Sequence, residues 1–170
     1  MKRLFLVRHA KSSWGDPGLD DFERPLSKRG KRNGPEMAQR LAGLSVVPDL
    51  IYSSPAKRAK KTAIYMAEGT GYPVSSISYH EGLYLGSVTY HLNLLQKGFK
   101  KADTVFLVGH NYTITELAEY LTGTRISNIP TCGVVAIEYS GEKGFSSEPG
   151  NGKLLFFDFP KKITPLRGNN

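Results

Sequence analysis

The chain has 170 residues, a length that fits one domain with a single hydrophobic core. Hydrophobic residues make up 39% and charged residues 22% of it, as is typical of a soluble globular protein. No apolar run approaches the roughly 18 residues that a membrane-spanning helix needs, and the run at residues 4–7 is too short for a signal peptide. The single cysteine, Cys132, excludes an internal disulfide, so we expect a cytoplasmic protein with no membrane partner.

The net charge of +8 permits two interpretations. Basic surfaces attract nucleic acids, but the lysines and arginines lie in short clusters along the chain, without an RNP, KH or zinc-finger signature. A basic enzyme that draws in an anionic substrate explains the same charge. We therefore expect no nucleic-acid partner, although charge alone does not separate these two classes.

Apolar runs bounded by turn residues predict short buried strands. They lie at residues 3–7, 50–52, 104–108, 134–139 and 154–159, with a further short strand near residues 76–79. No helical pattern separates the last two long strands, so we expect part of the sheet to be antiparallel. The Gly- and Ser-rich segment between them, residues 140–152, is predicted to be disordered.

Helical patterns separate the earlier strands. The first helix is expected to become regular near Gly34 and Pro35, after a looser turn started by Ser27. Ser54 and Pro55 are expected to serve as the N-cap and first residue of the second helix.

Two later helices also carry start signals. Ser87 is the expected N-cap of the third helix, and Thr113 forms a predicted capping box with Glu116 in the fourth. Strands that alternate with helices predict an α/β fold with three layers, α/β/α, around a mostly parallel central sheet. We expect one domain over residues 1–163 and a flexible tail over residues 164–170.

Two histidines occupy equivalent places in the sequence. His9 follows the apolar run that ends in Val7, and His110 follows the run that ends in Val108. Ligands of open α/β sheets bind at the carboxyl ends of strands, so both histidines should face one crevice.

Two arginines are expected at the same edge of the sheet. Arg8 adjoins His9 at the end of a strand, and Arg58 lies early in a helix that follows a strand. A guanidinium group presents a planar fork of donors that matches phosphate, so these residues favour a phosphate site.

Four sequence segments form a pattern with a fixed order. They are Leu6 to Trp14 with the Arg8-His9 pair, Arg24-Pro25-Leu26-Ser27 with Arg29-Gly30, Ser53-Ser54-Pro55 to Arg58 with Thr62-Ala63, and Val108-Gly109-His110-Asn111. Together they resemble the histidine phosphatase, or phosphoglycerate mutase-like, superfamily, and most of all its small SixA-type phosphohistidine phosphatases. The resemblance covers roughly residues 3 to 122.

This resemblance implies a phosphoglycerate mutase-like fold and a role for each matching residue. His9 is the implied nucleophile, while Arg8, Arg58 and His110 hold the phosphoryl oxygens. Asn111 belongs to the last matching segment and is an expected substrate-binding residue. No metal and no cofactor are expected, since the cationic side chains themselves neutralise the phosphoryl charge.

Other side chains near these motifs have less certain roles. Glu81 is the candidate general acid, although a solvated surface glutamate explains it as well; Asp16, Asp20 and Asp21 are lesser candidates. Ser12 either donates a hydrogen bond to the phosphoryl group or shapes the loop after His9.

Two positions depart from the pattern of the superfamily. Ala10 replaces the usual glycine after the histidine, a mild change if φ is negative there. Gly15 stands where mutase-like relatives often carry a phosphate-binding asparagine, which disfavours a mutase. Only residues 59–80 separate Arg58 from Glu81, whereas relatives that act on metabolites usually carry an insertion there.

We therefore expect a metal-independent phosphohydrolase that forms a phosphohistidine intermediate on His9 and acts on protein phosphohistidine. The first alternative is a phosphomonoesterase or phosphoglycerate mutase-like enzyme that acts on a small phosphorylated metabolite. A catalytically silent phosphate- or nucleic-acid-binding module is the second. A metallohydrolase that binds its metal through His9 and His110 is not supported, because the sequence contains no H-x-H, H-D or H-E-x-x-H pattern. The oligomeric state stays open.

Overall fold

A six-stranded sheet forms the centre of the protein, whose computed structural model describes residues 1–162. The predicted tail, residues 164–170, and the last residue of the predicted domain lie outside the described residues. The strands are β1 (Lys2–Arg8), β2 (Leu50–Ser53), β3 (Ser78–Tyr79), β4 (Thr104–Gly109), β5 (Val134–Tyr139) and β6 (Lys153–Asp158). Their spatial order is β3-β2-β4-β1-β5-β6.

Both kinds of strand pairing occur in this sheet. The first four strands are mutually parallel, while β5 pairs antiparallel with β1 and β6 pairs antiparallel with β5. Strand β4 is buried along its whole length and β1 is buried at residues 4–7, as expected for parallel strands that are covered on both faces. The predicted mixed sheet is therefore confirmed.

Helices cover both faces of the sheet and complete the predicted three-layer α/β/α architecture. They are α1 (Lys28–Gly43), α2 (Lys57–Thr70), α3 (Gly82–Leu85), α4 (Val88–Gly98) and α5 (Thr113–Thr122). On one face, Met37 of α1 and Met66 of α2 join a buried cluster with Phe5 and Phe106 of the sheet. On the other face, α4 and α5 contribute to a second cluster that is centred on Leu4, Leu6 and Leu107.

The first helix begins earlier than the sequence predicts. The hydroxyl of Ser27 accepts a hydrogen bond from the backbone N–H of Gly30 at 3.1 Å, so Ser27 is the N-cap and Pro35 lies inside the helix. A Cβ atom on Gly30 would lie 2.2 Å from the carbonyl oxygen of Lys11, so glycine lets the first turn approach the loop after β1. The predicted start near Gly34 and Pro35 is wrong. The Ser27 cap and the close approach of Gly30 to Lys11 let the helix begin at Lys28, before the proline.

The second helix begins later than the sequence predicts. The backbone N–H of Ser54 donates to the carbonyl oxygen of Val108 at 3.0 Å, so the chain still follows the sheet at this point. Ala56 is the N-cap, and α2 starts at Lys57. The predicted roles of Ser54 and Pro55 as cap and first helical residue are therefore wrong.

The two remaining predicted caps have different outcomes. Ser87 is the N-cap of α4, and its hydroxyl accepts from the backbone N–H of Tyr90 at 3.2 Å, as predicted. The capping box of Thr113 and Glu116 is wrong. The N-cap of α5 is Tyr112, which already has helical backbone angles and makes no side-chain cap bond, so Thr113 lies one residue inside the helix.

The loop of residues 140–152 packs against the body of the protein. Phe145 stacks on Phe99 with ring centroids 4.7 Å apart. The backbone N–H of Gly152 donates to the carbonyl oxygen of Leu121 at 2.8 Å. The prediction of disorder is wrong here, since aromatic contacts of Phe145 attach this loop to β5 and to the C-cap of α4, and backbone donors attach it to α5.

Two further expectations concern the whole chain. No helix within residues 1–162 is both long enough and apolar enough to cross a membrane. Cys132 is buried, and burial raises the pKa of its thiol to about 12, so the thiol is protonated and unreactive at neutral pH.

Candidate active site

His9 and His110 lie side by side at the carboxyl edge of the sheet, as their positions in the sequence predict. Strands β1 and β4 are neighbours in register, with Arg8 opposite Gly109. The backbone N–H of His9 donates to the carbonyl oxygen of Gly109 at 3.1 Å, which continues the pairing past the end of β1. The two imidazole rings are consequently only 5.1 Å apart between centroids.

A hydrogen bond to the backbone fixes the tautomer of His9. Its Nδ1 lies 2.8 Å from the carbonyl oxygen of Ala10, an atom that only accepts, so Nδ1 carries the hydrogen. The lone pair is therefore on Nε2, which faces Nε of Arg58 at 3.4 Å. Ala10 is not among the residues with positive φ, so alanine fits in place of glycine. Nε2 is the atom that can attack an electrophile in this site.

Burial keeps both histidines neutral. Desolvation by burial, together with the charges of Arg58, Arg8 and Arg24, lowers the pKa of His9 to about 4, although the hydrogen bond to Ala10 acts in the opposite direction. Desolvation, together with His9 and Arg58, lowers the pKa of His110 to about 3. Burial contributes more to the lowered pKa of His9 than repulsion by the arginines does.

Arg58 reaches the site from the first turn of α2 and is almost fully buried, with 6% of its surface exposed. Its carbonyl oxygen accepts a hydrogen bond from the hydroxyl of Thr62 at 2.8 Å. The same hydroxyl accepts from the backbone N–H of Ala10 at 2.9 Å. Thr62 thereby sets the position of α2 relative to the residue that follows His9.

Arg8 reaches the site from the end of β1. Its Nη1 donates to the carbonyl oxygen of Ile129 at 2.9 Å. Its Nε is buried and has no hydrogen-bond partner among residues 1–162. A buried donor without an acceptor is costly, and a phosphoryl oxygen at this place would supply the acceptor.

His110 is held by the segment between β2 and α2. Its Nε2 lies 2.8 Å from the hydroxyl oxygen of the fully buried Ser54. The ring of Tyr84, from α3, meets the His110 ring edge-on with centroids 5.3 Å apart. His110 is therefore fixed on two sides while its ring stays next to His9.

Three other candidate residues are not directed at His9. The hydroxyl of Ser12 accepts a hydrogen bond from Nη2 of Arg24. The amide of Asn111 donates to Asn128 at 2.7 Å and accepts from the hydroxyl of Thr115 at 2.6 Å. Glu81 is exposed at the N-terminal end of α3 and makes no cap hydrogen bond. The substrate roles of Ser12 and Asn111 and the acid role of Glu81 stay predictions.

Asp21, one of the lesser candidates for the general acid, closes the rim of the site. Asp21 accepts from Nη2 of Arg58 at 2.8 Å, from Nη1 of Arg24 at 3.0 Å and from the hydroxyl of Tyr84 at 2.6 Å. The hydrogen bond from Tyr84, with those from the two arginines, holds the pKa of this carboxyl well below its usual range. Asp21 is thus ionised at neutral pH, which excludes it as a general acid there. The sequence makes Asp21 a candidate acid but does not predict its contacts with the two arginines.

The described residues contain no group of three or more His, Cys, Asp or Glu side chains that could hold a metal ion. The positive charge that faces Nε2 of His9 comes from Arg58, and the charges of Arg8 and Arg24 also act on this histidine. Such an arrangement can bind a dianionic phosphoryl group and present it to a neutral imidazole.

Comparison with known proteins agrees with this geometry. The family model of the histidine phosphatase superfamily (branch 1) matches residues 4–83. An uncharacterised chloroplast protein of Arabidopsis thaliana is 34% identical over 165 residues, which span 90% of this chain and 75% of the relative. The chain belongs to the histidine phosphatase superfamily.

Two further similarities concern proteins whose names state an activity. A candidate phosphohistidine phosphatase SixA from Agrobacterium tumefaciens has a similar structure, with a TM-score of 0.79 and 28% identity, over 94% of this chain and 99% of that one. Phosphoserine phosphatase 1 of Hydrogenobacter thermophilus is 43% identical over 70 residues, which span 40% of this chain and 32% of that protein. The superfamily and the SixA-like fold predicted from the sequence are confirmed.

Proposed function

We propose that the protein is a metal-independent phosphohydrolase in which Nε2 of His9 attacks phosphorus. The observation that carries this proposal is the state of His9: neutral, with its hydrogen fixed on Nδ1 and its lone pair facing Arg58. A nitrogen–phosphorus bond forms as the bond from phosphorus to the leaving group breaks. Water then attacks the phosphohistidine, which releases inorganic phosphate and regenerates neutral His9.

Arg8, Arg58 and His110 act on the phosphoryl oxygens in both steps. The two guanidinium groups supply positive charge and directed N–H donors to the oxygens as negative charge is redistributed among them. His110 is neutral in the free protein, so it contributes one N–H donor; a bound dianion raises its affinity for a second proton. This arrangement uses side chains that are already fixed by burial.

The leaving group must gain a proton if it departs as an alcohol. Glu81 is proposed as the donor because it lies in the segment between β3 and α3, which also carries Tyr84 at the rim of the site. When the leaving group is an imidazole whose other ring nitrogen is protonated, it departs as a neutral base, so no proton has to reach the nitrogen that leaves phosphorus.

The proposed substrate is phosphohistidine on a protein. The similarity to a candidate SixA phosphatase supports this choice. The segment between α2 and α3 forms only a single 3-10 turn, Val74–Ser76, and the two-residue strand β3, so no subdomain covers the site from there. A site with little cover suits a side chain that projects from a folded partner. Because Cys132 is a buried thiol, we also propose a reducing compartment such as the cytoplasm.

A substrate panel tests the proposal. The value of kcat/KM is measured on a phosphohistidine-bearing protein, p-nitrophenyl phosphate, 3-phosphoglycerate and phosphoserine, with and without exhaustive dialysis against EDTA. We expect activity that survives EDTA and a preference of at least about 10-fold for the protein substrate, an advantage that shrinks as salt screens its attraction to this basic chain. Phosphate binding without turnover of any substrate would indicate a silent binding module.

A small phosphomonoester is the second candidate substrate. It is favoured by the match to phosphoserine phosphatase 1 over 70 residues. A salt-independent preference for phosphoserine in the same panel would select this alternative. Restoration of activity only by added divalent ions would instead select a metallohydrolase.

A further inference from the structure

Every nitrogen of the Arg58 guanidinium group already has an acceptor. Nη2 donates to Oδ2 of Asp21 at 2.8 Å, and Nη1 donates to the backbone carbonyl oxygen of Asp21 at 2.5 Å. Nε faces Nε2 of His9 at 3.4 Å. A phosphoryl group that comes within reach of His9 therefore finds Arg58 occupied by a carboxylate.

The position of this carboxylate matters because Nε and Nη2 lie on the same edge of the planar guanidinium group. That edge binds two oxygens of a phosphate side by side. In the free protein one end of the edge faces His9 and the other end faces Oδ2 of Asp21. A phosphoryl group bound through both nitrogens takes the place of Oδ2.

Burial decides which member of the pair can move. The Arg58 side chain is only 7% exposed, whereas the Asp21 side chain is 49% exposed. Asp21 can turn towards water without desolvation, while Arg58 is enclosed by α2 and the histidines. Arg24 and Tyr84 keep the carboxylate close to the site when no substrate is bound.

We propose that Asp21 is an internal anion that competes with the phosphoryl group for the Nε–Nη2 edge of Arg58 and thereby weakens the binding of both substrate and product phosphate. This inference rests on the proposed role of Arg58 in binding the phosphoryl group. Its consequence is that bare phosphate binds poorly and leaves readily. Substrates with additional contacts outside the pocket can still displace the carboxylate, which favours a phosphorylated protein over a small ester.

Substitution of Asp21 by asparagine tests this competition, because it removes the negative charge at nearly constant shape. The inhibition constants of inorganic phosphate and orthovanadate should fall by about 10-fold or more, and KM should fall with them. The matched control is Asp20→Asn, which removes the same charge from an exposed neighbour without a side-chain cap bond, and should change these constants by less than about 2-fold. Tyr84→Phe removes one anchor of Asp21 and should shift them in the same direction by a smaller factor.

Phosphate-induced stabilisation provides a second readout that does not depend on turnover. Phosphate should raise the Tm of Asp21→Asn more than that of the wild type, since tighter binding to the folded state stabilises it more. Unchanged or weaker phosphate binding in both Asp21→Asn and Tyr84→Phe overturns the inference and makes Asp21 a residue that positions Arg58. Arg58→Ala separates this failure from another: if phosphate binds that variant as well as the wild type, the proposed function itself is wrong.

Discussion

The two arginines of the site differ in what holds them. Arg58 is buried and donates to Asp21, whereas Arg8 has one backbone acceptor and a buried Nε without a partner in the described chain. Both guanidinium groups nevertheless lie beside the same histidine, whose pKa they help to lower. Their shared feature is the planar fork, which a lysine lacks.

Replacement of either arginine by lysine should retain charge but lose directed donors. We expect Arg8→Lys and Arg58→Lys each to lower kcat/KM. The loss of transition-state stabilisation should be about 2–4 kcal/mol, comparable to removal of an oxyanion donor. Arg3→Lys is the control, because Arg3 lies at the other end of β1 and contacts Thr104. Steady-state kinetics on one substrate measure all three. Near-wild-type rates in both site variants would argue against a guanidinium clamp.

The structure places Glu81 at the surface, so its proposed role as the general acid needs a direct test. If it protonates an oxygen leaving group, Glu81→Gln should slow hydrolysis of an alkyl phosphate by about 10²–10⁴-fold. The same change should affect p-nitrophenyl phosphate much less, since p-nitrophenolate leaves without a proton. Equal effects on the two substrates would show that Glu81 is not the acid.

At the scale of elements, strands were predicted better than helix ends. Strands β4 and β5 agree with prediction to within one residue, because burial on both faces leaves a continuous apolar run. The starts of α1 and α2 were wrong, because they depend on contacts with distant segments. Ser54 bonds to His110 instead of capping a helix, and no local pattern in the sequence shows that.

The same distinction applies to the site. His9, His110 and Arg8 could be placed from the sequence because strand ends meet at one edge of a parallel sheet. The contacts that Asp21 makes with Arg58 and Tyr84 could not, because Asp21 and Tyr84 come from a 3-10 turn and a four-residue helix that carry no periodic pattern. Their meeting at Arg58 follows from the tertiary fold.

Thr62 connects α2 to the loop that carries His9, so it links two elements of the site. Thr62→Val removes both of its hydrogen bonds and leaves the Ala10 N–H buried without an acceptor, which should cost about 1–3 kcal/mol of unfolding free energy. We also expect kcat to fall, since Arg58 shifts relative to His9. Thr70→Val is the matched control, since the buried Thr70 on the same helix bonds, within residues 1–162, only to the carbonyl oxygen of Met66. Equal losses of stability and activity in the two variants would remove the special role of Thr62.

At the scale of the whole molecule, the buried histidines make stability depend on pH. The pKa values of His9 and His110 fall from 6.5 in the unfolded chain to about 4 and about 3 in the folded protein. The unfolded state therefore binds more protons between pH 6.5 and pH 3, and the free energy of unfolding must fall as pH falls through this window. The expected loss between pH 7 and pH 4 is on the order of a few kcal/mol.

Denaturant titrations at several pH values measure this dependence. Each variant removes one histidine whose pKa is lowered on folding. The free energy of unfolding of His9→Gln and of His110→Gln should therefore decline less steeply with falling pH than that of the wild type. The same decline in all three proteins would mean that other groups determine the acid sensitivity.

The central claim is that a phosphoryl group is transferred to His9. The most direct test is to mix the protein with ³²P-labelled substrate, quench the reaction within one turnover and locate the label by mass spectrometry of the peptides. We predict label on the peptide that contains His9, with the lability to acid and stability to base of a phosphoramidate, and none in His9→Ala, which should stay folded but lose turnover. Turnover by His9→Ala at the wild-type rate, or label on a different residue, would contradict the account.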